Sequence, residues 1–144
     1  MRAKVNQESL IKAAGVPYSI LRATQFFEFL GGIADSGAEG DTVRLSTAPM
    51  QPMAAEDVAA ALADVAVGAP LNATVEVAGP EALSIAEFVG RFMAASGDKR
   101  RVIADPQARY YGAVMGSRGI APGGNPRLGP TRFEEWFRRS VPQA

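Results

Sequence analysis

The chain has no cysteine and no histidine. The first absence excludes disulfides, and the two together exclude zinc sites built on thiolate or imidazole ligands. Cys–His and Ser–His catalysis are excluded too, as is any imidazole general base. Chemistry performed by this sequence must rest on Tyr, Lys, Asp, Glu, Ser, Thr or a cofactor. There is also no surplus charge: 15 Lys and Arg balance 15 Asp and Glu. That balance argues against a general affinity for nucleic acid or an anionic membrane surface. Basic residues do gather at Lys99, Arg100 and Arg101, and at Arg138 and Arg139, but acidic residues interleave with them as on solvated faces. No apolar run reaches the roughly 18 residues of a membrane span, and Met1 to Glu8 lacks the apolar stretch of a signal peptide. The expected location is the cytoplasm.

What is present is an apolar fraction of 47% in 144 residues, enough to pack the core of one domain or a large piece of one. The spacing of Val5, Leu10, Ile11 and Ala14 predicts a helix over residues 3–14, capped by Gly15. Val16 and Pro17 end it, and a strand follows over 18–22. The three Phe and one Leu between Phe26 and Leu30 are too apolar for a free loop and predict a short packed helix. Strands are expected at 42–46, 74–78 and 101–104. A helix is expected over 55–67, with Val58, Leu62, Val65 and Ala66 inward and Gly68 at its end. Ser84 and Glu87 spell a capping box, and Leu83 with Phe88 a hydrophobic staple, at the start of the next helix. Residues 108–115 read as helical with Tyr110, Tyr111 and Val114 inward. Gly116 to Pro130 reads as a mobile Gly- and Pro-rich loop. A last helix opens at a Thr131…Glu134 capping box and buries Phe133, Trp136 and Phe137. Strands alternating with helices imply an α/β fold with mostly parallel pairing.

One stretch carries a family likeness. Arg2, Ala3 and Lys4, then Gln7 and Glu8, Leu10 and Ile11, and the unbroken run Ala14 to Phe26 resemble a segment of NmrA-like atypical short-chain dehydrogenases. That segment follows the active-site tyrosine. In those proteins a Tyr-x-x-x-Lys motif opens a helix that ends at a Gly, and the next strand ends in Arg-Pro or Arg-Ala. Gln51 to Ala59 resembles the lead into the family's Asp-Val-Ala helix, and Val75 to Glu81 its Gly-Pro strand end. Ala23 stands where many relatives have Pro. The likeness runs to the final Trp helix. The fold it implies is the C-terminal part of a Rossmann-type doubly wound parallel sheet, in residues 1–34 and 70–82. A small substrate-side α/β subdomain would fill residues 35–69 and 83–144. The N-terminal strands and the glycine-rich loop would be missing.

If Lys4 is the family lysine, its tyrosine would fall one place before Met1. The resemblance then implies the C-terminal, substrate-side part of an NAD(P)H-dependent oxidoreductase acting on a small molecule, inactive as this isolated chain. NAD or NADP would bind only in a complete protein. Lys4 would hold the nicotinamide ribose and lower the tyrosine's pKa, or would be a plain solvent-facing lysine. Ala23, Thr24, Gln25 and Phe26 would meet the nicotinamide at the end of a strand, where open α/β sheets bind ligands. Gln25, Phe26, Phe27 and Leu30 would line the substrate side, or Phe26, Phe27, Phe29 and Leu30 would be ordinary core. Arg22 is expected to pair with a buried carboxylate such as Asp57. Tyr110 and Tyr111 either stand in for the absent tyrosine or pack as aromatics. An unpaired apolar strand edge predicts self-association or a sheet-completing partner. Two other functions stay open: a non-catalytic dinucleotide-sensing module, and a repurposed half-fold that offers a pocket or an interaction surface.

Overall fold

The computed structural model describes residues 2–140. Met1, on which the Tyr-x-x-x-Lys register rests, and residues 141–144 of the expected substrate-side region lie outside the described residues. Helix α1 (Arg2–Ala13) turns at Gly15, whose φ of +69° is the left-handed conformation that favours glycine, into strand β1 (Ser19–Ala23). A single 3-10 turn (Phe27–Phe29) runs straight into α2 (Leu30–Ser36). Strands β2 (Ala38–Glu39), β3 (Thr42–Leu45) and β4 (Pro49–Met50) lead to α3 (Ala55–Val67). Strands β5 (Ala73–Ala78) and β6 (Leu83–Ser84) precede α4 (Ile85–Ala95). Strand β7 (Arg101–Ala104), the short pair β8 (Arg109–Tyr110) and β9 (Ala113–Val114), and β10 (Arg127–Leu128) follow, and α5 (Phe133–Ser140) comes last.

The principal sheet is parallel throughout, in the order β1-β5-β10, with Leu21 opposite Val75 and Ala23 opposite Val77. A second sheet, β2-β3-β7, pairs β3 with β7 in parallel and β2 with β3 antiparallel. The mixed α/β class with parallel pairing is as expected.

Most of the buried volume lies away from the principal sheet. Phe27 is 1% exposed, and its ring centroid lies 5.8 Å from Phe88, 5.9 Å from Phe133 and 5.3 Å from Trp136. Leu30 and Ile33 of α2, Val43 and Leu45 of β3, and Val89 and Met93 of α4 complete this aromatic core. Helix α4 begins with the expected capping box: the Ser84 hydroxyl accepts from the Glu87 amide, and the Glu87 carboxylate accepts from the Ser84 amide. The Glu28 carboxylate accepts from Trp136 Nε1 (2.9 Å) and from the Ala55 amide (3.2 Å). It therefore caps α3 and fixes α5 at once. Under the principal sheet only Met53, Ala61 and Val77 are buried together, with Leu21 and Val58 against them.

Five expectations need correction. Residues 108–115 form the β8–β9 hairpin, not a helix, because Tyr111 (φ +45°) and Gly112 (φ +85°) both take left-handed backbone and make a two-residue reversal. The stretch 116–130 is not a bare loop: Ile120 bridges to Met50, and β10 joins the principal sheet. Helix α3 buries Ala61 with Val58 rather than Leu62, which stays exposed along with Ala66. On α1, Val5 and Leu10 are exposed as well. Thr131 does not cap the last helix. Its amide and hydroxyl both donate to Asp57 (3.0 and 2.9 Å), and α5 starts two residues later.

Two neighbouring phenylalanines, Phe27 and Phe29, should differ sharply in stability scans. Phe27→Ala is expected to cost about 3–5 kcal/mol, as for a fully buried aromatic. Phe29→Ala, at a ring 51% exposed, should cost less than about 1 kcal/mol. Urea unfolding of the two variants checks this.

Candidate functional site

Strands β1 and β5 end side by side at Ala23 and Val77. Beyond β1 the chain stays extended, held on both sides. The Thr24 amide donates to Val77 O (3.1 Å), the Met53 amide to Gln25 O (2.9 Å) and the Phe27 amide to Met53 O (2.9 Å). The Thr24 hydroxyl donates to Gln51 O at 2.6 Å. Gln51 in turn is bonded to Gly79 twice, its side-chain amide donating to Gly79 O and its carbonyl accepting from Gly79 N. A Cβ at residue 79 would lie 1.7 Å from Pro52 O, so only glycine lets these strips of backbone meet.

At this edge opens a cleft of about 480 Å³, within the range of small-molecule sites. Ala23, Thr24, Gln25 and Val77 line it from the strand ends, Tyr110 and Tyr111 from the hairpin, and Gly119 to Pro122 from the chain leading to β10. Arg22 and Glu76 bring charge to it, but both are engaged. Arg22 donates Nε to Glu8 Oε1 at 2.8 Å and Nη2 to Glu8 Oε2. That pairing holds the Glu8 carboxyl below, and the Arg22 guanidinium above, its ordinary pKa. Glu76 accepts from the Gly123 amide at 3.0 Å.

The neutral groups are less occupied. Gln25 Nε2 donates to the Tyr110 hydroxyl oxygen. Burial pushes the Tyr110 phenol up to about 12, with Tyr111 adding to the rise and the Gln25 bond opposing it. At neutral pH Tyr110 is therefore a hydrogen-bond donor and not a base. Its ring meets Tyr111 edge to face at 4.9 Å.

Of the residues expected at a site, Ala23, Thr24 and Gln25 lie on the cleft. Lys4 does not line it. It is exposed on α1, with Nζ 3.2 Å from Gln7 Oε1. The Glu8–Arg22 pair ties that part of α1 to the C-terminal end of β1, and Lys4 lies one turn, about 6 Å, further along the helix axis. Phe26 is half-buried, bridges to Met53 and packs on Phe29. Phe27 and Leu30 are not substrate-facing: at 1% and 0% exposure they belong to the aromatic core. The expected Arg22–Asp57 pair is replaced by Arg22–Glu8 and Asp57–Thr131. The loop residues 119–122 and Glu76 were not expected at a site at all. No motif marks them: Glu76 is there because β5 pairs with β1 opposite Arg22, and β10 brings residues 119–122 there by joining β5.

A dinucleotide does not fit the described residues. Its pyrophosphate needs free backbone amides at a glycine-rich turn between strand and helix. Gly31 and Gly32 instead lie inside α2. Gly79 and Gly119 press against the carbonyls of Pro52 and Pro49, and Gly123 faces the Glu76 carboxylate, which repels phosphate. Among the described residues no group of acidic side chains is placed to hold a metal ion, and no helix is long and apolar enough to cross a membrane.

A tyrosinate titration followed by ultraviolet absorbance should show one of the three tyrosines ionising late, near 12, and Tyr110→Phe should remove that step. Because the folded pKa is raised, Tyr110 contributes stability in full below the ordinary value near 10. That contribution is lost as pH rises through 12. The chain matches no family model and no curated protein.

Proposed function

We propose that the chain is the substrate-side portion of an NAD(P)H-dependent oxidoreductase resembling the NmrA-like atypical short-chain dehydrogenases, acting on a small molecule and inactive in isolation. The observation that carries this reading is the cleft at the ends of parallel strands β1 and β5, floored by Ala23, Thr24 and Gln25. The likeness assigns those residues to nicotinamide and substrate. In this reading the sheet β1-β5-β10 is the remnant of a Rossmann-type sheet, and the aromatic core is the subdomain that frames its substrate side. The pyrophosphate would be held by residues this chain does not supply. The chain's own residues bind and orient the small molecule: Gln25 and Tyr110 offer polar groups, while Val77, Ile120 and Pro122 exclude water.

The same reading accounts for apolar surface left uncovered. Strand β1 has no second neighbour among the described residues, and Val5, Leu10, Val16, Leu62 and Leu71 are exposed. Such an edge pairs with further sheet, from more chain, a partner or a second copy. A cofactor-free pocket protein is the second reading. The cleft favours it, since the Gln25–Tyr110 pair and apolar residues line it together. A dinucleotide sensor lacks the glycine turn that binding needs.

Millimolar NADP(H) is expected to leave the melting temperature of the chain unchanged, because binding to the folded state would raise it. NAD(P)H should not be consumed with small carbonyl compounds. A rise of several degrees, or turnover, overturns inactivity in isolation. The native protein purified from its source is expected to exceed 15.1 kDa or to carry a sheet-completing partner, and to oxidise NAD(P)H with a small carbonyl compound. A native mass of 15.1 kDa without partner or turnover rejects the oxidoreductase reading in favour of the pocket protein. In light scattering the isolated chain should run as a dimer or larger. A monodisperse monomer that melts cooperatively would show that the β1 edge tolerates water.

A further inference from the structure

The Tyr110–Gln25 pair has unspent hydrogen-bonding capacity in a cleft whose charges are spent. Gln25 donates to the Tyr110 oxygen, and no acceptor for the phenol's own proton, nor any donor to Gln25 Oε1, occurs among the described residues. Reversing the amide leaves the same count: the phenol then donates to Gln25, whose amide donors become free, and the Tyr110 oxygen can accept. In either arrangement one spare donor and one spare acceptor sit side by side on the cleft wall. Thr24 adds nothing to them, since its hydroxyl is committed to Gln51 O. Arg22 is paired with Glu8, and Glu76 is a carboxylate. Glu8 and Glu76 together outweigh Arg22, so the cleft wall carries no net positive charge to draw an anionic ligand.

Tyr111 supplies the second observation. It is 59% exposed and holds φ at +45°, in the first central position of a reversal that Asn or Gly would occupy without strain. A bulky aromatic there works against the turn. Strain held at the rim of a cleft is a sign of use. The Tyr111 hydroxyl lies over Gly32, at 3.5 Å from where a Cβ would be. The ring thus spans from α2 to the cleft wall, beside Tyr110.

We propose that Tyr110 and Gln25 form a donor–acceptor clamp for a neutral aryl ketone bearing a hydroxyl on the adjacent carbon, with the ligand's ring packed against Tyr111. The ketone oxygen accepts from one member of the pair and the hydroxyl donates to the other. Burial keeps the Tyr110 phenol protonated across the physiological range. The substrate class rests on the proposed oxidoreductase reading, but the binding itself needs no cofactor.

The test is titration of the intact chain with α-hydroxyacetophenone, acetophenone and benzoate, followed by NMR. The hydroxyketone should bind tightest. Acetophenone, with one hydrogen bond fewer, should bind about five- to ten-fold more weakly, and benzoate more weakly still. Tyr110→Phe, which keeps the ring, should weaken hydroxyketone binding by about five- to ten-fold. Tyr111→Asn should weaken it too while raising the melting temperature, a combination that simple loss of structure does not produce. The clamp is overturned if no probe binds, if benzoate binds tightest, or if Tyr110→Phe binds like the native chain. Clamp binding without NAD(P)H turnover in the native protein would reject the oxidoreductase reading alone. Turnover with KM unchanged by Tyr110→Phe would reject the clamp alone.

Discussion

The carbonyl of Pro52 lies where any side chain at residue 79 would have to be. That single steric constraint draws three strips of backbone together: the end of β1, the strip Gln51 to Met53, and the end of β5. Once they meet, Gln51 can bond both Thr24 and Gly79, and Met53 can bond Gln25 and Phe27. The cleft has a rigid floor because of this contact, and the Phe27–Phe29 turn leaves it at a defined angle toward the aromatic core. A methyl group at residue 79 would part the principal sheet from the strip that joins it to α3.

The chain divides its stabilising contacts unevenly. Four aromatic rings and three helices make a dry core that includes Phe27, whereas beneath the parallel sheet only Met53, Ala61 and Val77 are buried together. Burial of apolar area drives folding, and the aromatic half holds most of it. The sheet is tied to that half through the Glu28 cap and the Asp57–Thr131 bonds. The floor of the cleft belongs to the sheet, while Tyr110 and Ile120 of its walls pack against the aromatic core. Ligand sites are drawn from less stable parts of a fold, and here the sequence composition shows why: α1 is mostly polar and α3 is mostly Ala and Val, with few large side chains to bury.

Local chemistry was readable wherever neighbours in sequence decide the outcome. The Ser84–Glu87 box, the α3 limits at Ala55 and Val67, and the strand at Arg101–Ala104 depend on residues a few places apart. Partners far apart in sequence were not readable. Arg22 has several acids within conceivable reach, and only the return of α1 along β1 selects Glu8 over Asp57. Thr131 and Glu134 have the spacing of a capping box, but Asp57 competes for the Thr131 hydroxyl and wins with two bonds. Tyr110 to Val114 failed for a different reason. Apolar spacing there suits a helix, and the Tyr-Gly turn that breaks it is a poor match to the usual Asn-Gly. Of the cleft lining, Ala23, Thr24 and Gln25 follow from the end of the first strand and the family likeness, while Glu76 required the pairing of β5 with β1 and the 119–122 wall that of β10 with β5.

The chain holds one tryptophan, and its indole is bonded to a carboxylate inside the aromatic core. Intrinsic fluorescence therefore watches one half of the molecule. It reports the docking of α5 on α2 and α4 and is blind to fraying of β1 or α1, where no indole lies. Tyrosine absorbance reaches further, since Tyr18 precedes β1 while Tyr110 and Tyr111 stand at the cleft and Tyr110 also packs against the aromatic core. A tyrosine change without a tryptophan change thus marks loosening of the ligand-bearing edge that spares the docking of α5, without any label.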